Sequence, residues 1–332
     1  MRKKKGLLIL ILCLLVSVSL FAQGAADKPS KLRLGISLMT YEHDFMQDML
    51  ASVKKYCADN NIELYDVDGR NDVSVQLSGV EDMLNSKNIN GLLLNPVDTD
   101  AIAPAVLYAN ELKVPVVTLD VGSAKGEVYA HVASNNVEIG KMAGEFAVDI
   151  LKARNGTVRG TIVIFGFSKI TSMRDRVAGF KEIMAKYPNV ELIEREPIKL
   201  SVDDTLKLAE DSFITFKPGT VDIFYGSNGT TLAGLVAAQL NMGRTDFQMV
   251  GVDDEPAYIA ALQNPASTLE GFVAQTPTDI GETAAQMIVD AINKTPPKEK
   301  VVSTKITMVT RENVHDYLSV VDARKNLIKD YR

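Results

Sequence analysis

Residues 91–120 read GLLLNPVDTDAIAPAVLYANELKVPVVTLD, and the fold is decided here. Gly91–Asn95 is a short apolar run ending on an amide, residues 99–111 carry apolar side chains at helical spacing, and Val114–Asp120 is a second apolar run ending on a carboxylate. Strands that are apolar throughout, joined by a helix, make a parallel β-α-β unit buried on both faces. The pattern continues in both directions. Upstream, Leu32–Leu38 and Glu63–Asp68 read as strands, with helices from Asp44 to about Asp59 and near 73–86. Downstream, Ile139, Met142, Ala143, Phe146, Ala147 and Ile150 mark one helical face, with Asn136 as its expected N-cap. A second series of strands follows at Thr161–Phe165, Val190–Glu194, Val221–Tyr225, Phe247–Val252 and Leu269–Ala274. Thr276-Pro277 then opens a helix lined by Ile280, Ala284, Met287 and Ala291. The fold class is α/β, with two wound parallel sheets.

The amino terminus sets the compartment. Arg2, Lys3, Lys4 and Lys5 precede an apolar run from Leu7 to Val16, and Ala22, Gly24, Ala25 and Ala26 supply small residues after it. That sequence of features predicts a signal peptide over 1–26, cleaved after Gly24 or Ala26, and an exported, periplasmic protein. A membrane span needs roughly 20 apolar residues, more than this run offers. Cys13 has no small residue before it, so it reads as signal core rather than a lipid anchor. Removing 1–26 takes away four positive charges and no acid, making the net charge of −6 more negative by four. Such a surface repels phosphates and excludes nucleic-acid partners. Cys57 is then the single cysteine, unable to form an internal disulfide; it shares a helical face with Phe45, Met49 and Val53 and reads as packing.

The two series end alike. Val117-Thr118-Leu119-Asp120 and Val250-Gly251-Val252-Asp253 each close a strand on aspartate, while Leu94-Asn95 and Ser227-Asn228 each place an amide just beyond one. Ligands of open α/β sheets bind beyond the carboxyl ends of strands, so four such ends from two halves point to a site in a cleft between them. Catalysis has little footing: the histidines are His43, His131 and His315, and no nucleophile elbow or zinc-protease motif occurs. Gly226-Ser227-Asn228-Gly229-Thr230-Thr231 lacks the lysine of a phosphate loop, and Asp66, Asp68 and Gly69 lack the spacing and bidentate glutamate of a calcium loop. Tyr41-Glu42-His43-Asp44 is too short a loop to turn all its polar groups onto one metal. No cofactor or metal is expected. A sugar or polyol fits better, because its hydroxyls donate to strand-end carboxylates and accept from an arginine or amide. Asp120, Asp253, Arg174, Asn228 and Gln275 form such a set. Two other readings stay open: a periplasmic enzyme with Asp120 and Asp253 as acid and base, and a receptor for a signalling molecule or nucleoside that serves a sensor.

Leu94-Asn95-Pro96-Val97-Asp98-Thr99-Asp100, Lys125-Gly126-Glu127-Val128, His131-Val132-Ala133-Ser134-Asn135-Asn136 and Val250-Gly251-Val252-Asp253 occur in the order and spacing of a known family. From about Leu32 to Val302 the chain resembles the type I periplasmic sugar-binding proteins, the ribose-binding group in particular. The resemblance implies two Rossmann-like lobes joined by three crossings, near Ser134–Asn135, Gln275–Thr276 and Thr304–Ile306. The amino-terminal lobe would comprise 31–134 with 276–304, and the carboxy-terminal lobe 135–275 with 305–332. It also implies delivery of a small polyhydroxy ligand to an ABC transporter permease, a monomeric state, and an optional chemoreceptor partner. Carried over by position, Asp120, Arg174, Asn228, Asp253 and Gln275 are ligand contacts, and Ser37, His43 and Phe45 lie on the loop that adds more. Val121 stands where the ribose binder has an arginine, and Met46, Leu200 and Val252 where it stacks phenylalanines. Phe45, with Tyr41, is left to stack on a ring. These departures argue for a polyol or modified sugar rather than ribose.

Overall fold

The structure, a computed structural model, describes residues 31–332; the signal peptide expected over 1–26, with Cys13, lies outside the described residues. The chain begins with β1 (Arg33–Leu38), α1 (Asp44–Asp59), β2 (Glu63–Asp68), α2 (Val73–Asn85), β3 (Gly91–Leu94), α3 (Ala103–Glu111), β4 (Val116–Leu119) and β5 (Ala130–Ser134). It continues with α4 (Asn136–Asn155), β6 (Gly160–Phe165), α5 (Thr171–Met184), β7 (Val190–Arg195), α6 (Val202–Thr215), β8 (Ile223–Gly226) and α7 (Gly229–Met242). Last come β9 (Gln248–Val252), α8 (Pro256–Gln263), β10 (Leu269–Ala274), α9 (Pro277–Ile292), β11 (Val301–Thr304), β12 (Thr307–Thr310) and α10 (Val314–Ile328).

The strands form two six-stranded sheets, ordered β11-β5-β4-β3-β1-β2 and β12-β10-β9-β8-β6-β7. Every pairing is parallel except β12 on β10, where Gly271 faces Thr310 in an antiparallel ladder. Both sheets are thus parallel but for this edge strand. β11 is parallel to β5 and ends at the carboxyl edge of its sheet. Two residues later the chain enters the second sheet. It arrives at that sheet's own carboxyl edge, so it runs against its neighbours.

Apolar strands demand cover on both faces. In the first sheet α1 and α9 pack side by side, with α9 on β3, β4 and β5. On the opposite face, Val80, Met83 and Leu84 of α2 and Ala105, Val106 and Ala109 of α3 close over Leu92 and Leu94. Cys57 is buried in the first layer, and its thiol is pushed up to about 12 by burial. In the second sheet α4 and α5 cover one face through Ile139, Ala143, Ala147, Phe180 and Ile183. Phe213, Leu232, Leu235, Tyr258 and Tyr317 from the remaining helices fill the other.

The α4–α5 contact is unusually close. A Cβ on Gly140 would overlap the Arg176 carbonyl oxygen, and one on Gly179 would overlap that of Val137. Two glycines thus let two helix backbones meet, and Arg176 sits at that meeting. The expected cap of α4 moves by one residue: Asn135 accepts from the Glu138 N–H at 3.1 Å, while Asn136 is already helical and accepts from Arg176 Nε at 2.8 Å.

The helix α10 ties the two halves together. Its apolar side packs in the second core through Val314, Tyr317 and Val321. Its Arg324 lies 2.8 Å from Asp254, beyond β9, and 3.2 Å from Asp48 on α1. Arg332 adds 2.8 Å and 2.7 Å contacts to Asp48 and Asp44. Asp48 and Arg324 are nearly excluded from water, at 2% and 9% side-chain exposure, so this clasp is shielded from salt.

Candidate functional site

The carboxyl ends of strands from both sheets border one cavity, part of it open to solvent. From the first sheet come Met39, His43, Phe45 and Met46 after β1, Asn71 after β2, and Asp120 and Val121 after β4. From the second come Ile170, Ser172, Met173 and Arg176 after β6, Leu200 after β7, Asn228–Thr230 after β8, Asp253 and Glu255 after β9, and Gln275 after β10. Across the cleft, the Thr99 and Thr171 hydroxyls share a 2.8 Å hydrogen bond.

Asp120 and Asp253 occupy equivalent places. Both have left-handed backbones, with φ of 57° and 77°, a conformation that costs a non-glycine residue energy and clusters at functional sites. Each donates its N–H to the strand on its far side, Asp120 to the Val132 carbonyl at 2.8 Å and Asp253 to that of Val273 at 2.9 Å. Their side chains differ. Asp253 accepts from the Gly229 N–H at 2.7 Å and from Gln275 Nε2 at 2.6 Å, with Arg176 Nη1 at 4.0 Å. Asp120 is 7% exposed, and its Oδ1 is buried without a hydrogen-bond partner. Burial pushes Asp120 up to about 6, with Asp253 adding to the push and Arg176 opposing it.

Arg176, 3% exposed, is anchored by Asn136 Oδ1 and by the Ser227 carbonyl at 3.1 Å. Asn228 caps α7, its oxygen accepting from the Thr231 N–H at 2.9 Å in a reciprocal capping box. Tyr258 donates to the Gly229 carbonyl and stands beside Glu255. Burial pushes Glu255 up to about 7, helped by the charges of Asp253 and Asp44. Among the described residues no cluster of histidine, cysteine and carboxylate side chains could hold a metal ion.

A family model described as a periplasmic binding protein domain matches residues 34–296. The chain belongs to the periplasmic binding protein family. It is 28% identical over 274 residues to the ribose import binding protein RbsB of Salmonella typhimurium, covering 82% of this chain and 89% of that protein. Its fold superimposes with a TM-score of 0.80 on a carbohydrate transporter solute-binding protein of Agrobacterium radiobacter in complex with D-arabinose, 19% identical, covering 87% of this chain and 98% of that one. A TM-score of 0.75 relates it to an ABC transporter solute-binding protein of Bacillus halodurans with bound myo-inositol, 23% identical, with 87% and 98% of the two chains covered.

In this periplasmic binding protein, His43, Phe45, Asp120, Asn228, Asp253 and Gln275 of the sequence-predicted set line the cavity together. Two do not. Ser37 is the penultimate residue of β1 and fully buried, its hydroxyl accepting from Gln76 Nε2 at 3.2 Å, because strand alternation turns it away from the cleft. Arg174 is exposed and folds back to the Ser168 carbonyl at 2.7 Å and the Thr171 hydroxyl at 3.0 Å. The guanidinium in the cavity is that of Arg176, two positions later and on the opposite side of α5.

Other expectations are corrected with these. Asn95 does not line the cavity; it bridges the Met39 N–H and the Leu119 carbonyl and ties three strand ends together. Tyr41 reaches Asp66 at 3.0 Å rather than stacking in the cleft. Val252 is core, while Met46, Val121 and Leu200 do border the cavity. Glu255, Ser172, Thr230 and Asn71 were not anticipated; for Glu255 the signal was present in its place two residues after Asp253 and one before the proline that opens α8.

Proposed function

We propose that this protein is a periplasmic solute-binding protein that captures a small sugar or polyol between its two lobes and delivers it to an ABC importer. One observation carries the reading: matching aspartates from two sheets meet one buried arginine and two amides around a single cavity, with buried acceptor atoms pointing to a donor-rich ligand. The lobes are 31–134 with 276–304 and 135–275 with 305–332, and residues 1–26 direct export. Hydroxyls of the ligand donate to Asp120 and to the Gln275 oxygen and accept from Arg176 and the Asn228 amide. Phe45, Met46, Leu200 and Val121 give the weakly apolar walls that ring carbons need. The aliphatic walls favour a polyol or modified sugar over ribose. A permease is the partner, a chemoreceptor a second one, and the working state a monomer.

Both oxygens of Asp253 already accept from protein donors, which suits an acceptor of fixed position. A thermal-shift screen against sugars, polyols, nucleosides and small signalling molecules tests the function. A ligand at about 100 times its Kd stabilises the native state by about 2.7 kcal/mol. A hit confined to nucleosides or signalling molecules moves the protein to the sensor reading, and a hit recovered chemically altered moves it to the enzyme reading.

A further inference from the structure

The charges around the cavity do not balance. Three carboxylates line it, Asp120, Asp253 and Glu255, against one guanidinium, Arg176, and one imidazole, His43. Even with a proton on His43, a negative charge is left over. Arg176 is also heavily committed, to Asn136, to the Ser227 carbonyl and, at 4.0 Å, to Asp253. Arg324 and Lys325 of α10 border the adjoining cavity that Glu255 and Asp253 also line, and Arg324 is held between Asp254 and Asp48. Asp44, whose charge also acts on Glu255, is itself paired with Arg332.

Glu255 faces the same corner as Asp253. The spot a Cβ on Gly229 would fill lies 3.1 Å from Glu255 Oε1 and 3.2 Å from Asp253 Oδ2. The buried side-chain atoms without partners on the lining residues are both acceptors, Asp120 Oδ1 and Gln275 Oε1, on residues 7% and 2% exposed. A hydroxyl brings one proton and two lone pairs to such a site, whereas an ammonium brings three protons, a positive charge and no lone pair. Buried carboxylates without a cation are costly, and they either take up a proton or acquire a counter-ion.

We propose that the ligand carries a protonated amine beside its hydroxyls, an amino sugar or amino-polyol, with Glu255 and Asp120 as the carboxylates that select the ammonium. The inference rests on the sugar-or-polyol reading and narrows it. The raised affinity of both carboxyls for protons, which burial brings to about 7 for Glu255 and about 6 for Asp120, agrees with carboxylates that await a cation.

The test is calorimetric titration at pH 7.5 with matched pairs: glucosamine against glucose, galactosamine against galactose, and glucamine against sorbitol. The amine of at least one pair is expected to bind at least about tenfold more tightly than its neutral parent. Lowering the pH through 7 and then 6 should shrink that preference as Glu255 and Asp120 take up protons. Glu255→Gln should erase most of the preference, weakening the amine at least about tenfold more than it weakens the neutral partner. Neutral partners that bind as tightly as the amines, or a preference that survives both Glu255→Gln and Asp120→Asn, would overturn the inference and leave the sugar reading standing. Binding by no member of any pair, with a hit among nucleosides or signalling molecules instead, overturns both.

Discussion

On the second sheet's side of the cavity, Asp253 is held at both oxygens, Arg176 is fixed by α4 and by the Ser227 carbonyl, and Asn228 is locked in a capping box. On the first sheet's side, Asp120 keeps a buried oxygen with no partner, and His43, at the start of α1, and Phe45, in its first turn, are half-buried. One wall is preorganised and the other is incomplete. Preorganised groups bind without a cost of rearrangement, so on the proposed reading the ligand docks on the second wall and completes the first. Closure then follows from the ligand's donors reaching Asp120, which agrees with rotation of two lobes about a hinge.

The strongest way to break this contrast is Asp253→Ala. It strips the acceptor from the Gly229 N–H and from Gln275 and leaves Arg176 short of its counter-charge. Removing one partner of a buried charge set costs about 3–5 kcal/mol, so titration calorimetry should show binding lost by more than about a hundredfold. An unchanged Kd would place the site elsewhere. Next comes the pair Arg176→Met and Arg174→Met. The first should weaken binding by about ten- to a hundredfold and lower Tm, since a hydrogen bond to a charged group is worth about 1.5–3 kcal/mol. The second, at a surface position, should move stability by no more than about 0.5 kcal/mol. Equal effects would remove the reason for choosing Arg176.

Asp120→Asn should sharpen the difference between the walls. Binding should weaken by about tenfold, the value of one charge-assisted hydrogen bond, with little change in the second wall. Solution scattering on the same variant should show less compaction on adding a saturating ligand than the wild type shows. The smallest effect concerns pH. Asp120 is raised from 3.8 to about 6 in the folded protein, so the folded state binds the proton more tightly than the unfolded one. Its favourable contribution is complete below 3.8 and is lost as the pH rises through 6. Unliganded Asp120→Asn should therefore gain stability relative to wild type between those values, read as Tm against pH; a constant difference would mean that Asp120 does not titrate there.

Much of this was legible before any coordinates. Apolar strand runs and helical spacing give the β-α-β alternation directly, and of the polar residues at the strand ends Asp120, Asn228, Asp253 and Gln275 line the cavity. The failures have separate physical causes. Arg174 and Arg176 lie two residues apart, about 200° around a helix, and the choice turns on which face meets the sheet. Met173, Val177 and Phe180 are buried on the face that carries Arg176, so that apolar stripe held the answer. Ser37 was lost to strand alternation, which a short apolar run conceals. The direction of β12 is a property of where the chain enters the second sheet, and periodicity carries no such information. Glu255 belongs to a loop, whose side-chain direction is set by tertiary packing.

The matching left-handed aspartates have a consequence for how such a protein diversifies. Two sheets with the same strand order, each closing its fourth connected strand on an aspartate with the same main-chain bond, repeat one half-sized plan. A duplicated grip can be edited one copy at a time. The copy around Asp253 can be kept as an anchor while the copy around Asp120, with Val121 beside it, drifts toward new cargo. Lineages built this way would change what they carry without relearning how to fold.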